Sequence, residues 1–403
     1  MKEILTTGKQ VIFMIQSTKT KIAILSMSAV LMSSAAISVI LAKVRDMFPD
    51  ASLSSVQLVM TVATLASLAA VILAGKLVSY MSKKNMMLVS LFLMSFGGAI
   101  GLLFHQSIAS LYTAGVVLGL GQGMILTTSS ALIADYFENG ERQGKKGQRG
   151  SVVNLIGALI MLAAGWLSAL NWYYVYFVYL LGVPVFLIVK WFLPKGSKLV
   201  VRQGEKIKIS NSTVIYYCAV IFIFSIAQYT YATNVALLLE NTGLGTSAMS
   251  GVATACIAAA SFLSGMFMGR IIRIFRRYTF TFGISCIVIG LLLSAWAPSL
   301  VVVLAGGAFV GIAIGSSIPS GLLAVAAAVP AAGATAAIAA FSAASAFGMF
   351  CSPLVINNIT ALFGGSGEQA RYLCAAVLAA ILLVLTIVRE TIKSPRRDNT
   401  PQQ

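Results

Sequence analysis

The sequence predicts an all-α membrane protein of twelve transmembrane helices in two six-helix, pseudo-symmetric halves. Three observations carry this expectation. Of 403 residues, 59% are hydrophobic and 10% charged, where soluble globular proteins carry about 25% charged residues. The mean hydropathy is +0.93. The apolar residues gather in runs of about 20, the length a helix needs to cross roughly 30 Å of hydrocarbon, with none of the ten-residue alternation of an outer-membrane barrel. Basic residues then recur in every second connection. Finally, motifs from the first part return in the second. Gly115, Gly119 and Gly123 match Gly307, Gly311 and Gly315 at a constant shift of 192. The segment GKLVSYMSKK beginning at Gly75 is echoed by GRIIRIFRR beginning at Gly269, a shift of 194. Two motifs repeated in the same order at nearly the same spacing mark a duplication.

In chain order, residues 1–17 read as a short interfacial helix. Lys2, Lys9, Lys19 and Lys21 precede an apolar run of helix length. A cleaved signal has an apolar core of only about 7–15 residues, so this run is read as a retained first span. Spans are expected at roughly 22–42, 56–80, 86–104, 109–136, 150–170 and 173–193, then 213–238, 247–269, 279–297, 299–327, 332–358 and 370–389. The domain expectation follows: residues 1–193 as the N-terminal half, 194–212 as a polar, basic linker, and 213–403 as the C-terminal half.

Orientation comes from charge. With both termini in the cytoplasm, the inner segments from N- to C-terminus hold 4, 3, 4, 6, 4 and 4 Lys plus Arg, which is 25 of 28. Only Lys43, Arg45 and Arg371 remain outside. A multi-pass protein of the cytoplasmic membrane is therefore expected. The net charge of +17 is accounted for by topology and by anionic lipid headgroups as partners, with no need of nucleic acid. Cys218, Cys256, Cys286, Cys351 and Cys374 all lie in apolar runs without metal-ligand spacing. No metal, cofactor, nucleotide loop or nucleophile–base pair is expected, and hence no enzyme.

Twelve spans in two similar halves, a basic central linker and a Gly-plus-basic loop after spans 2 and 8 resemble the major facilitator superfamily over nearly the whole chain. In its 2–3 loop pattern Gly75, Leu77, Lys83 and Lys84 fit, while Ser79 stands in place of the acid and Ser82 of the second glycine. In span 4, Gly119 and Gly121 fit, while Gly115 stands where an arginine associated with proton-coupled export would be. The Gly-Pro pair of many drug–proton antiporters is missing from span 5.

The resemblance implies that spans 1, 4, 7 and 10 line a central cavity. On those spans Gln122, Gln228, Tyr231, Asn234 and Ser34 are candidate substrate contacts. Gln228, Tyr231 and Asn234 recur at i, i+3 and i+6, on one helix face. A large amide at mid-bilayer is hard to satisfy against lipid. For the serines, Ser33, Ser34, Ser316 and Ser317, helix–helix hydrogen bonding is the competing and favoured reading. Gly75, Lys83, Lys84 and Asp135 are candidate gating residues, because the resemblance implies an ion pair between such a loop cation and an acid at the end of span 4. The repeated glycines read first as packing residues. The aromatic cluster from Trp166 to Tyr176 reads as an interface belt.

None of the eleven acids lies in the middle third of a predicted span. Intramembrane ionisable residues mark proton relays and charged substrates, so a neutral or weakly charged solute is expected. Asp46 and Glu240 are the coupling candidates if protons are used. The functional expectation is a secondary transporter, a monomer, moving a small organic solute by alternating access. Two alternatives stand: an exporter of hydrophobic drug-like compounds, and a non-transporting membrane sensor on the same fold.

Overall fold

The computed structural model describes residues 30–77, 80–136, 156–193 and 211–392, together with Ala23, Ser26 and Met27. Among these, twelve helical spans follow one another. α1 is a tight 3-10 stretch, Val30–Ile40, that relaxes into an α-helix at Leu41–Met47. The first half continues with α2 (Leu53–Leu77), α3 (Lys83–Leu103), α4 (Ile108–Tyr136), α5 (Ile156–Leu170) and α6 (Trp172–Phe192). The second holds α7 (Ser212–Asn241), α8 (Ser247–Met266), α9 (Thr279–Ala295), α10 (Leu300–Ala327), α11 (Ala331–Leu362) and α12 (Gly367–Ile392). A short connector helix, Met268–Phe275, links α8 to α9.

Helix ends follow local chemistry. Ser82 caps α3 by accepting from Asn85 N, and Asn211 caps α7 by accepting from Thr213 N, each satisfying a donor that the first turn leaves unpaired. Gly243, at φ +69°, lets α7 turn into α8. α12 begins at Gly367, three residues before the expected boundary, which brings Glu368 into its first turn.

In lipid a hydroxyl must find its partner in protein. Many here bond back to their own helix: Ser90 to Met87 O, Thr127 to Gly123 O, Ser294 to Gly290 O, Ser316 to Ile312 O. α12, apolar from Leu373 to Leu385, shows how such a run chooses faces. Tyr372, Ala375, Ala376, Ala379 and Leu382 are buried, whereas Val377, Ile381, Val384, Leu385 and Val388 are exposed along a second stripe. A bare apolar stripe of this length suits hydrocarbon, not water.

The helices form two compact units. One comprises residues Met1–Ala36, Val62–Ile160 and Tyr173–Gln203; the other comprises Ile37–Thr61, Met161–Trp172 and Gly204–Gln403. Inside each unit the duplicated glycines do the same work. A Cβ at Gly119 would run into the Ala63 carbonyl and lie 2.8 Å from Ala66 Cβ. One at Gly311 would run into the Ile257 carbonyl and lie 2.8 Å from Ala260 Cβ. Gly123 meets Ser67 O and Ala70 as Gly315 meets Ser261 O and Ser264. The glycines are related by the shift of 192 and their neighbours by 194. The α3–α4 contact repeats as well. A Cβ at Gly97 would fall against Ala114 O and Leu118, and one at Gly290 against Gly306 O and Val310, the same two α4 positions moved by 192. Backbones touching with no side chain between them is how helices associate without a hydrophobic drive.

The second unit has a core of Phe224, Tyr231, Phe280, Ile284, Ile287, Leu291, Val310, Phe341 and Tyr372. Tyr231 sits at its centre: its hydroxyl donates to Val303 O at 2.8 Å, and Tyr372 donates to Tyr231 O at 3.3 Å.

Candidate functional site

Within the second unit, polar side chains converge where the α1–α2, α7–α8 and α11–α12 connections lie. The deepest layer is built from amides. Gln57 on α2 and Asn234 on α7 are buried. Gln57 Nε2 donates to Asn234 Oδ1 at 3.0 Å and to Thr233 O at 3.1 Å. Gln57 Oε1 accepts from Asn357 Nδ2 of α11 at 2.8 Å, and the same amide donates to Ser54 Oγ at 3.0 Å. Asn234 Nδ2 is used within α7, on Thr230 O at 2.9 Å and Thr233 Oγ1 at 3.1 Å. Three helices are thus joined by carboxamides, whose paired donors and acceptors allow chaining.

A charged layer lies beside it. Arg371 Nη1 on α12 donates to Glu368 Oε1 at 3.1 Å and, at a longer 3.4 Å, to Asn234 Oδ1. Glu368 also accepts from Asn241 Nδ2 at 2.9 Å, and Asn241 Oδ1 accepts from Arg45 Nη1 at 3.0 Å. Arg45 pairs with Asp46 at 3.0 Å. Lys43 lies 3.5 Å from Glu240, which also accepts from Ser247 at 3.0 Å. The three cations that the charge count leaves outside are therefore gathered here, each facing a carboxylate. Burial ranks the pairs. The side chains of Arg371 and Glu368 are 14% and 10% exposed, against 32% and 52% for Arg45 and Asp46. An exposed pair contributes about 0–1 kcal/mol; loss of one partner from a buried pair costs more, because the other charge stays desolvated.

The candidates named from sequence fall as follows. Asn234 belongs to the amide layer, and Asp46 and Glu240 to the charged layer. Tyr231, on the same stripe, is spent on Val303 O in the core. Gln228 is 5% exposed, and its side chain makes no hydrogen bond among the described residues. Gln122, in the first unit, is half-buried in α4. Ser33 donates to Val30 O in its own helix. Lys83 is buried at the start of α3, and Lys84 Nζ donates to Lys190 O at 2.7 Å and Leu193 O at 2.5 Å, at the C-terminal end of α6. For Ser34, Gly75 and Asp135 only the backbone is described: α1, α2 and α4 respectively. Their side-chain environments, and hence the expected pairing with Asp135, lie outside the described residues.

Gln57, Asn357, Asn241 and Glu368 are not among the candidates the sequence offers, and Arg371 enters there only as an outside cation. Gln57 and Asn357 carry the same signal as Gln122 and Gln228, a large amide inside an apolar run, but lie on spans 2 and 11, outside the four that the resemblance implies line the cavity. The i, i+3 spacing of Glu368 and Arg371 was visible too, one turn apart. Among the described residues no three His, Cys, Asp or Glu side chains gather as a metal site.

No curated protein sequence matches this chain. Its fold does have counterparts among solved structures. The nucleoside transporter NupG superposes with a TM-score of 0.72 at 14% identity, covering 93% of this chain and 98% of that one. A bacterial homologue of the human lysosomal transporter Spinster, solved inward-facing and unoccupied, gives 0.67 at 13% identity, covering 94% and 95%. The human organic anion transporter MFSD10 gives 0.64 at 16% identity, covering 91% and 99%. At such identities the likeness is one of fold. The family model of the Major Facilitator Superfamily matches residues 22–249 and again 217–403. With the two matches together covering every span, and with the same packing repeated in both copies, the chain belongs to the major facilitator superfamily of transporters.

Proposed function

We propose that this chain moves a small organic solute, neutral or weakly charged, by alternating access, and that the amide and charge layers form its closed external gate. The observation that carries the reading is the network itself. Side chains from α1, α2, α7, α11 and α12 meet, and the amide nitrogens of Gln57, Asn234, Asn241 and Asn357 all donate within the network. Such a network holds well when formed, and it can part without stranding buried charge, because its ion pairs sit where water enters on opening. The compensation of Lys43, Arg45 and Arg371 supports an orientation with both termini in the cytoplasm of the cytoplasmic membrane. Working as a monomer, with residues 1–193 and 213–403 as the two moving halves, is part of the same proposal. A neutral solute fits Gln122 and Gln228, whose amides offer both donor and acceptor.

The gate is testable without knowing the solute. Spin labels at Ser52 and Gly243, in a cysteine-free background, report the separation of the α1–α2 and α7–α8 connections. The wild-type network should give a short, narrow distance distribution. Gln57→Ala with Asn357→Ala should add a longer population. Unchanged distributions in that variant and in Arg371→Gln would remove the gate assignment. A thermal-stability screen against nucleosides, sugars and amides, followed by counterflow in proteoliposomes, addresses the solute class.

A further inference from the structure

We propose that the connector between α8 and α9 is a docking site for the headgroups of anionic phospholipids. The segment Met268–Tyr278 carries Arg270, Arg273, Arg276 and Arg277, all exposed. None of them forms an ion pair with an acid among the described residues. Arg270 and Arg273 are one turn apart on one face of the connector helix. Phe267, Ile271 and Ile274 follow one another at i, i+4 and i+7 on another, and Ile274 is 71% exposed. Bare isoleucine beside bare arginine suits neither water alone nor hydrocarbon alone. It suits the boundary between them, with the apolar stripe among acyl chains and the cations among phosphates.

Two further features hold the guanidinium groups at that level. Arg270 lies over the Phe267 ring at 5.5 Å and Arg277 over the Tyr278 ring at 4.9 Å. Phe275 stacks on Phe282 of α9 at 4.2 Å, tying the segment to the bundle. Arg276 ends the connector helix at φ +47°, in the left-handed region. Glycine would adopt that conformation at little cost, whereas an arginine there bears strain.

The duplicated segment in the first half supplies the contrast. There Lys83 is buried and Lys84 is bonded to the end of α6. In the second copy the cations have no such task among the described residues, which leaves them available to a partner outside the protein. Arginine's planar fork matches the oxygens of a phosphodiester, and the adjoining apolar stripe distinguishes a lipid from a free anion. Binding does not depend on the gate proposed above; with both termini in the cytoplasm, as proposed, the connector meets the cytoplasmic leaflet.

The test compares purified protein in nanodiscs of phosphatidylcholine and of phosphatidylglycerol, with retained lipid counted by native mass spectrometry. The wild type should retain phosphatidylglycerol selectively. Each arginine replaced by glutamine should lower that retention about fivefold, and R270Q/R273Q/R276Q/R277Q should abolish the selectivity. Ile271→Ser with Ile274→Ser should also weaken retention while leaving every charge in place. Single substitutions at exposed Arg273 and Ile274 keep the comparison valid should the quadruple variant fold poorly. Equal retention of the two lipids by the wild type, or selectivity unchanged by Arg273→Gln and the quadruple variant, overturns the proposal. Retention that survives the serine substitutions and is displaced by inorganic phosphate assigns the patch to a soluble anion instead.

Discussion

The segment after α2 and the segment after α8 descend from one motif, yet they spend their cations differently. In the first, Lys84 closes the carbonyl end of α6 and Lys83 is buried. In the second, four arginines stand exposed beside exposed isoleucines. The glycines of the neighbouring helices have not diverged: Gly119 and Gly311 press against equivalent carbonyls, as do Gly123 and Gly315. The difference teaches where duplication is constrained. A glycine with another helix's backbone in van der Waals contact has no alternative residue. A charge at a helix end can be reassigned whenever its surroundings change.

The largest effect should come from breaking what the copies share. Gly119→Leu and Gly311→Leu should each cost about 3 kcal/mol or more, since the added side chain must force two backbones apart. Near-equal losses of melting temperature and of folded yield would sustain the equivalence. Tolerance at one position with collapse at the other would break it.

The next effect sharpens what the copies do not share. Lys84→Gln should lose about 1–2 kcal/mol, because a cation on two terminal carbonyls is replaced by a neutral amide. Arg273→Gln should stay within about 0.5 kcal/mol, as an exposed substitution away from any packed feature does. Melting curves of both variants in one detergent decide this. An equal loss at Arg273 would mean that the second copy also uses its cations within the fold.

A smaller contrast lies along α7 of the second copy. Tyr231→Phe removes the bond to Val303 O and should lower stability by about 1 kcal/mol, leaving the affinity for any solute found by screening unchanged. Gln228→Ala, which breaks no hydrogen bond among the described residues, should leave stability near wild type. Its cost should appear in solute affinity, two- to tenfold, or about 0.5–1.5 kcal/mol. Affinity loss at Tyr231 with none at Gln228 would reverse these roles. The smallest expected change is at Gly269, the glycine that opens the second copy. A Cβ there meets nothing within 4 Å, so Gly269→Ala should be silent in every assay, and a measurable loss would show that the connector packs more tightly than its geometry implies.

What the chain determines by itself is whatever depends on local chemistry and period. Twelve apolar runs become twelve spans because an apolar helix is the available solution for a backbone that must satisfy its own hydrogen bonds in lipid. Most boundaries fell within three or four residues of the expected ones. The repeat was legible because close backbone contact leaves glycine as its mark, and the mark kept its spacing of 192 and 194 through both copies. The charges on which the proposed orientation rests are readable as counts. Partnership is not. Nothing local says that Gln57 would reach Asn234, 177 positions away, or that Asn357 would reach Gln57 across 300. Arg371 and Glu368 read as one outside cation and one surface acid until the start of α12 and the end of α7 were brought together with Asn241 and Asn234 between them. Tyr231 and Asn234 share a stripe one turn apart, yet one hydroxyl goes to a carbonyl in the core and the other side chain to the amide layer. A stripe specifies which side of a helix a residue is on. Only packing decides which neighbour waits there, because that depends on how far helices distant in sequence can approach, and the glycines between them set that distance.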